Sequence, residues 1–89
     1  MNWETALKDG WYVTESLEKE GFIHTSFHNQ VPGVLQRYYK DLANLVLLHI
    51  DEYKVIPRIN YEIAPSVNET FPHIYGRLNI DAVVKVTDI

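Results

Sequence analysis

Two histidines far apart in the chain stand in similar surroundings. His24 lies in Gly21-Phe22-Ile23-His24-Thr25-Ser26, and His73 lies in Phe71-Pro72-His73-Ile74-Tyr75-Gly76. Each breaks a short aromatic or apolar run with a side chain that exchanges protons near neutral pH. Strand side chains alternate faces, so Phe22, His24 and Ser26 share one face, with Ile23 and Thr25 on the other. Two such segments suggest one site built from both. The imidazoles of His24 and His73, the Ser26 hydroxyl and the Tyr75 ring are expected to open into one concave pocket. Glu62 supplies a carboxylate. Residues 58–63 alternate cleanly, with Ile59, Tyr61 and Ile63 on one face and Arg58, Asn60 and Glu62 on the other.

Each of these residues also has a structural reading. His24 reads as a buried histidine bonded to backbone, or as a donor or base lining a cleft. Ser26 reads as a site hydroxyl or as the cap of the following helix. His73 reads as catalytic or as a pin for its loop, because it follows a proline. Tyr75 either stacks on a flat ligand or fills the core. Glu62 and Arg58 read as a solvated face with a weak ion pair, or as a carboxylate placed for a ribose hydroxyl. His49, inside an apolar strand, and His28, in a turn, are assigned to structure or surface. No metal site is expected. The spacing His24-x-x-x-His28 straddles a strand end, whereas i, i+4 ligands converge on a helix. No G-x-S-x-G elbow, P-loop or G-x-G-x-x-G occurs.

The elements that position these groups follow from periodicity. Residues 2–9 read as a short helix with Asn2 as N-cap and Gly10 as its stop. Residues 11–13 read as extended, and 14–20 as a loop with one helical turn. Val31, Val34, Leu35, Tyr38 and Leu42 follow helical spacing, which predicts the main helix over about 30–43. Pro32 suits its first turn, and Ser26 or Asn29 its cap. Residues 45–50 form a nearly continuous apolar strand. Strands follow over 58–63 and 82–87, with 64–70 as a loop. The acceptor pattern Asn68-Glu69-Thr70 is treated as chance. Strand runs are not separated by regular crossover helices, so the class is α+β with mainly antiparallel pairing.

At 89 residues the chain makes one domain, 1–89. Its net charge of −4 argues against a general nucleic-acid or anionic-membrane partner, which calls for a basic stripe. One anionic ligand held by local arginines stays compatible with that charge. The absence of cysteine removes disulfides and thiolate metal sites. No signal-peptide pattern is visible, and the longest apolar run is far too short for a bilayer, so a cytoplasmic domain is expected.

Residues 21–26 followed by Gln30, then Tyr61-Glu62, then 71–76 with Leu78 and Ala82-Val83-Val84, resemble the bacterial domain-of-unknown-function 952 family. The resemblance runs from Trp3 to about Val86. Members usually open with an extra strand of the type I-Y-K-I-T, which this chain lacks ahead of Trp3. The resemblance implies a small ADP-ribosyltransferase-like fold: two mainly antiparallel sheets, a cleft between them and one main helix. It implies NAD or ADP-ribose in the cleft, with NAD as substrate and no metal. Residues 21–26 look like that fold's second motif and 71–76 like the motif nearest the third. On that mapping His24, His73 and Glu62 are catalytic, and Ser26, Tyr75, Gln30 and Arg58 bind ligand. The alternative is a non-catalytic nucleotide or small-ligand binder, or an interaction module of the same fold. The missing strand leaves a sheet edge open, which predicts a homodimer through a strand edge.

Overall fold

The computed structural model describes residues 3–89. Helix α1 (Trp3–Asp9) leads into β1 (Trp11–Tyr12), helix α2 (Glu15–Glu20) and β2 (Ile23–His24). A 3₁₀ turn over 28–30 runs into α3 (Val31–Tyr38), followed by β3 (Val46–Ile50). The chain closes with β4 (Arg58–Ala64), β5 (Glu69–Tyr75), β6 (Leu78–Asn79) and β7 (Val83–Asp88). The expected Asn2 cap lies outside the described residues.

The α+β class with antiparallel pairing holds, and the two expected sheets resolve into three ladders. β2, β5 and β4 form a three-stranded sheet in that order, while β1 pairs with β6 and β3 with β7. The core is small. Ile23, Ile74, Leu78 and Ala82 are buried together, with Tyr12, Leu17, Ile50, Val55, Ile59 and Val83 packed against them. Ile23, Ile59 and Ile74 are the inward members of three neighbouring strands, since Ile74 stands opposite both Ile23 and Ile59. Burying that row turns the alternate residues of the same sheet to its other, outward face, on which Phe71 is buried as well.

Three segments differ from the sequence reading, each for a local reason. Residues 15–20 are a helix, because the Thr14 side chain accepts from the Leu17 N–H at its start. At its end Gly21, at φ +89°, donates its N–H to the Leu17 carbonyl, a left-handed stop that glycine adopts at no steric cost. Helix α3 ends at Tyr38, short of residue 43. Tyr38, Tyr39 and Leu42 are all exposed, so the apolar spacing beyond 38 buries nothing. Neither Ser26 nor Asn29 caps it. Its N-cap residue is Gln30, with no side-chain cap bond.

The largest difference is that 69–75 is the central strand of the main sheet rather than a loop. β4 and β5 form a hairpin closed over 65–68, where Asn68 at φ 54° donates to the Ala64 carbonyl. Pro72 sits inside β5, where a proline ordinarily removes a ladder bond. Its carbonyl accepts from Thr25 N at 3.3 Å and Thr25 Oγ1 at 2.6 Å. A strand residue directs N–H and C=O to the same edge, so Pro72 addresses the β2 side, just past the end of that two-residue strand. The ladder to β4 therefore loses nothing. At the exit of β5, a Cβ on Gly76 would lie 2.9 Å from Pro57 Cβ, which only glycine avoids.

Candidate functional site

The outward face of the three-stranded sheet gathers side chains from three distant segments. β2 and β5 place His24 directly opposite His73. By the edge assignment that Pro72 fixes, this is a non-hydrogen-bonded pair, the type that brings side chains closest. The two imidazoles meet edge to face, with ring centroids 5.3 Å apart. Phe22 stacks on His73 at 4.2 Å and 18° between planes, and its ring also touches those of His24 and Tyr75. β4 sets Asn60 opposite His73 and Arg58 opposite Tyr75, with Glu62 one outward step from Asn60.

Glu62 ties the cluster together. Its Oε1 accepts from His73 Nδ1 at 2.8 Å and from the Tyr75 hydroxyl. A carboxylate only accepts, so the Nδ1 proton of His73 is fixed and neutral His73 keeps Nε2 as a lone pair. Among the described residues Oε2 of Glu62 accepts no hydrogen bond, and the side chain is 42% exposed. The bond from Tyr75, then that from His73, hold the Glu62 carboxyl below its ordinary value; Arg58 adds a smaller pull in the same direction. The same bond to Glu62 raises the Tyr75 hydroxyl above its ordinary value, with burial adding to it. The Arg58 guanidinium lies 5.3 Å from the centroid of the Tyr75 ring. On the other flank His24 Nε2 donates to Glu20 Oε2 at 2.7 Å, both groups half exposed.

Of the seven residues singled out from sequence, the structure brings five together: His24, His73, Glu62, Tyr75 and Arg58. Ser26 lies past the end of β2, where the alternation that linked it to His24 has stopped. It lines a cleft of ≈ 1270 Å³ whose walls include Val34, Leu35, Leu47 and Ile74, and His24 and His73 reach that lining as well. Tyr75, Glu62 and Arg58 stand outside it. Gln30 braces the fold: its Oε1 accepts from Phe27 N and its Nε2 donates to the Thr70 carbonyl, both at 2.8 Å. His28 is exposed in the 3₁₀ turn, and His49 shares a 3.0 Å hydrogen bond with Thr87 across β3 and β7. Glu20 escaped notice in the sequence. Its signal was the four-residue spacing to His24 across the Gly21 stop.

The model of the family DUF952, proteins of unknown function, matches residues 1–86. The chain belongs to the DUF952 family. No curated protein matches it. Among solved structures it is similar to protein CC0527 from Caulobacter crescentus, at 26% identity and a TM-score of 0.84, covering 97% of this chain and 75% of that one. A double mutant of the same protein gives a TM-score of 0.83 over the same coverage. The DUF952 match takes in both histidine segments and Glu62, so the whole cluster lies inside the family's domain.

Proposed function

We propose that the cluster on the outward face of the sheet binds a ribose-bearing, phosphorylated ligand, NAD or ADP-ribose, on an ADP-ribosyltransferase-like fold. One observation carries the reading. Glu62 has one oxygen held by two donors and the other, among the described residues, without a hydrogen-bond partner, the arrangement that presents a carboxylate to a sugar hydroxyl. Phe22, Tyr75 and the two imidazoles supply flat surfaces for a ring, and Arg58 supplies a guanidinium for a phosphate.

The chemistry this supports is cleavage at the nicotinamide ribose of NAD. The bond from C1′ to nicotinamide breaks and its electron pair leaves with nicotinamide. The developing positive charge at C1′ is stabilised by Glu62. Water or an acceptor hydroxyl bonds to C1′ and gives its proton to Nε2 of His73, whose other nitrogen is already committed to Glu62. His24 positions the ribose. A second reading, binding without turnover, draws support from the same carboxylate, because Tyr75 and His73 already take up part of its accepting capacity. Calorimetry with ADP-ribose and single-turnover release of nicotinamide from NAD separate the two. Glu62→Gln should weaken ADP-ribose binding about tenfold, the order expected for a lost charged hydrogen bond. Binding with no nicotinamide release selects the second reading. No binding of either ligand by the parent chain overturns both.

A further inference from the structure

Among the described residues the three-stranded sheet ends at β4, with that edge unpaired. Pro72 addresses β2, so Phe71, His73 and Tyr75 address β4 through Glu62, Asn60 and Arg58. The backbone groups of Ile59, Tyr61 and Ile63 therefore face away from the sheet. Among the described residues none of these N–H or C=O groups has a hydrogen-bond partner. The edge is also apolar, with Tyr61 52% and Ile63 65% exposed. An unpaired, seven-residue strand of this kind is a template for another strand.

We propose that β4 pairs antiparallel with β4 of a second copy of this chain, about a two-fold axis through Asn60. Charge complementarity selects both the partner and the register. Outward-facing residues must oppose outward-facing residues, so the register shifts only in steps that keep this parity. Centred on Asn60, Arg58 stands opposite the partner's Glu62, and Glu62 opposite the partner's Arg58. Both are non-hydrogen-bonded positions, where side chains approach most closely. Ile59 and Tyr61 then exchange backbone bonds with the partner's Tyr61 and the partner's Ile59. Centring the axis on Ile59 or Tyr61 instead leaves all four charges unmatched. Charges on an edge commonly prevent pairing; here their four-residue spacing makes the strand complementary to itself. Within one copy Arg58 is exposed and, among the described residues, has no carboxylate within ion-pair distance. The other longer edges lack this pattern: β3 carries no Arg, Lys, Asp or Glu, and Lys85 and Asp88 of β7 fall on opposite faces.

The result is one continuous six-stranded sheet with both clusters on the same face. Each cluster gains the partner's Arg58 beside its own Glu62. Two guanidiniums near one site suit a diphosphate; that consequence rests on the ligand reading above, whereas the pairing does not.

Sedimentation equilibrium over a concentration series tests the pairing, with circular-dichroism melts of each variant to establish that it is folded. The parent chain should dimerise. Arg58→Glu and Glu62→Arg, each of which opposes like charges twice, should each weaken the dimer about tenfold. The exchange variant carrying both substitutions should restore the parent affinity while lacking the Glu62 carboxylate, so it dimerises even if ADP-ribose no longer binds. A parent chain that stays monomeric throughout the series overturns the proposal. So does a dimer indifferent to Arg58→Glu, or an exchange variant that fails to recover.

Discussion

The two larger ladders of this protein use similar material for different ends. The β2–β5–β4 sheet buries Ile23 and Ile74 on one face and on the other holds His73, Glu62 and Tyr75 joined by hydrogen bonds, with His24 in ring contact with His73. The β3–β7 ladder has a histidine too, but His49 bonds across to Thr87, and its neighbours Val46, Val84 and Val86 are exposed. A histidine in an apolar strand is therefore uninformative alone. What distinguishes His73 is its register: a second histidine opposite it on one side and a carboxylate within reach on the other. Site character comes from cross-strand neighbours, which only the topology supplies.

The sharpest way to break this contrast is through the core. Ile74 is 2% exposed and backs the cluster, so Ile74→Ala should cost about 2–5 kcal/mol. Val86 is 40% exposed, and Val86→Ala should cost less than about 1 kcal/mol. Urea melts measure both; equal losses would mean that the two ladders share the burden of stability.

Exchanging the histidines gives a smaller effect. His49→Asn removes a half-buried cross-strand hydrogen bond and should cost about 1 kcal/mol. His24→Asn changes a side chain that is 55% exposed and should cost less than that, with any loss appearing in ADP-ribose affinity. Thermal melts of both variants, followed by calorimetry, read the two effects separately.

The smallest effect concerns pH. The depressed Glu62 carboxyl adds stability that is present above the ordinary glutamate value of 4.5 and is lost as pH falls through its lower folded value. The raised Tyr75 hydroxyl works at the other end. Its contribution is present below 10.0 and is lost as pH rises through the higher folded value. Tyr75→Phe removes the larger cause of the Glu62 depression, so Glu62 should protonate at higher pH in that variant. Carboxyl-carbon NMR titration follows it directly. An unchanged Glu62 titration would show that the Tyr75 bond is not what holds the carboxylate.

Much of this contrast was legible in the chain. Strict alternation over 58–63 set Arg58 and Glu62 on one face, and alternation over 22–24 set Phe22 beside His24 with Ile23 inward. The α+β class followed from strand runs without crossover helices. Other features were hidden for physical reasons. Pro72 disguised the central strand, because sequence does not tell which edge of a strand a missing N–H will face. Ser26 was linked to His24 by a periodicity that stops with β2 at His24. Gln30 went to bracing because its partners, Phe27 N and the Thr70 carbonyl, are backbone groups that no side-chain pattern announces. The union of His73, Glu62 and Tyr75 depends on the β4–β5 register, which a four-residue turn closed by Asn68 sets.

The two halves of the cluster keep different time. His73, Tyr75, Glu62 and Arg58 ride on a hairpin paired over seven residues, while Phe22 and His24 are carried by a strand that pairs over two. Amides in so short a ladder exchange with solvent through local opening, long before the hairpin unfolds. Each opening withdraws Phe22 from the face of His73 and leaves the Glu62–Tyr75 half intact. The cluster is thus a standing half and an intermittent half, and a molecule seated between them would slow deuterium uptake at Ile23 and Thr25, whose amides face β5, before it changed the amides of Phe71, His73 and Tyr75, which face β4.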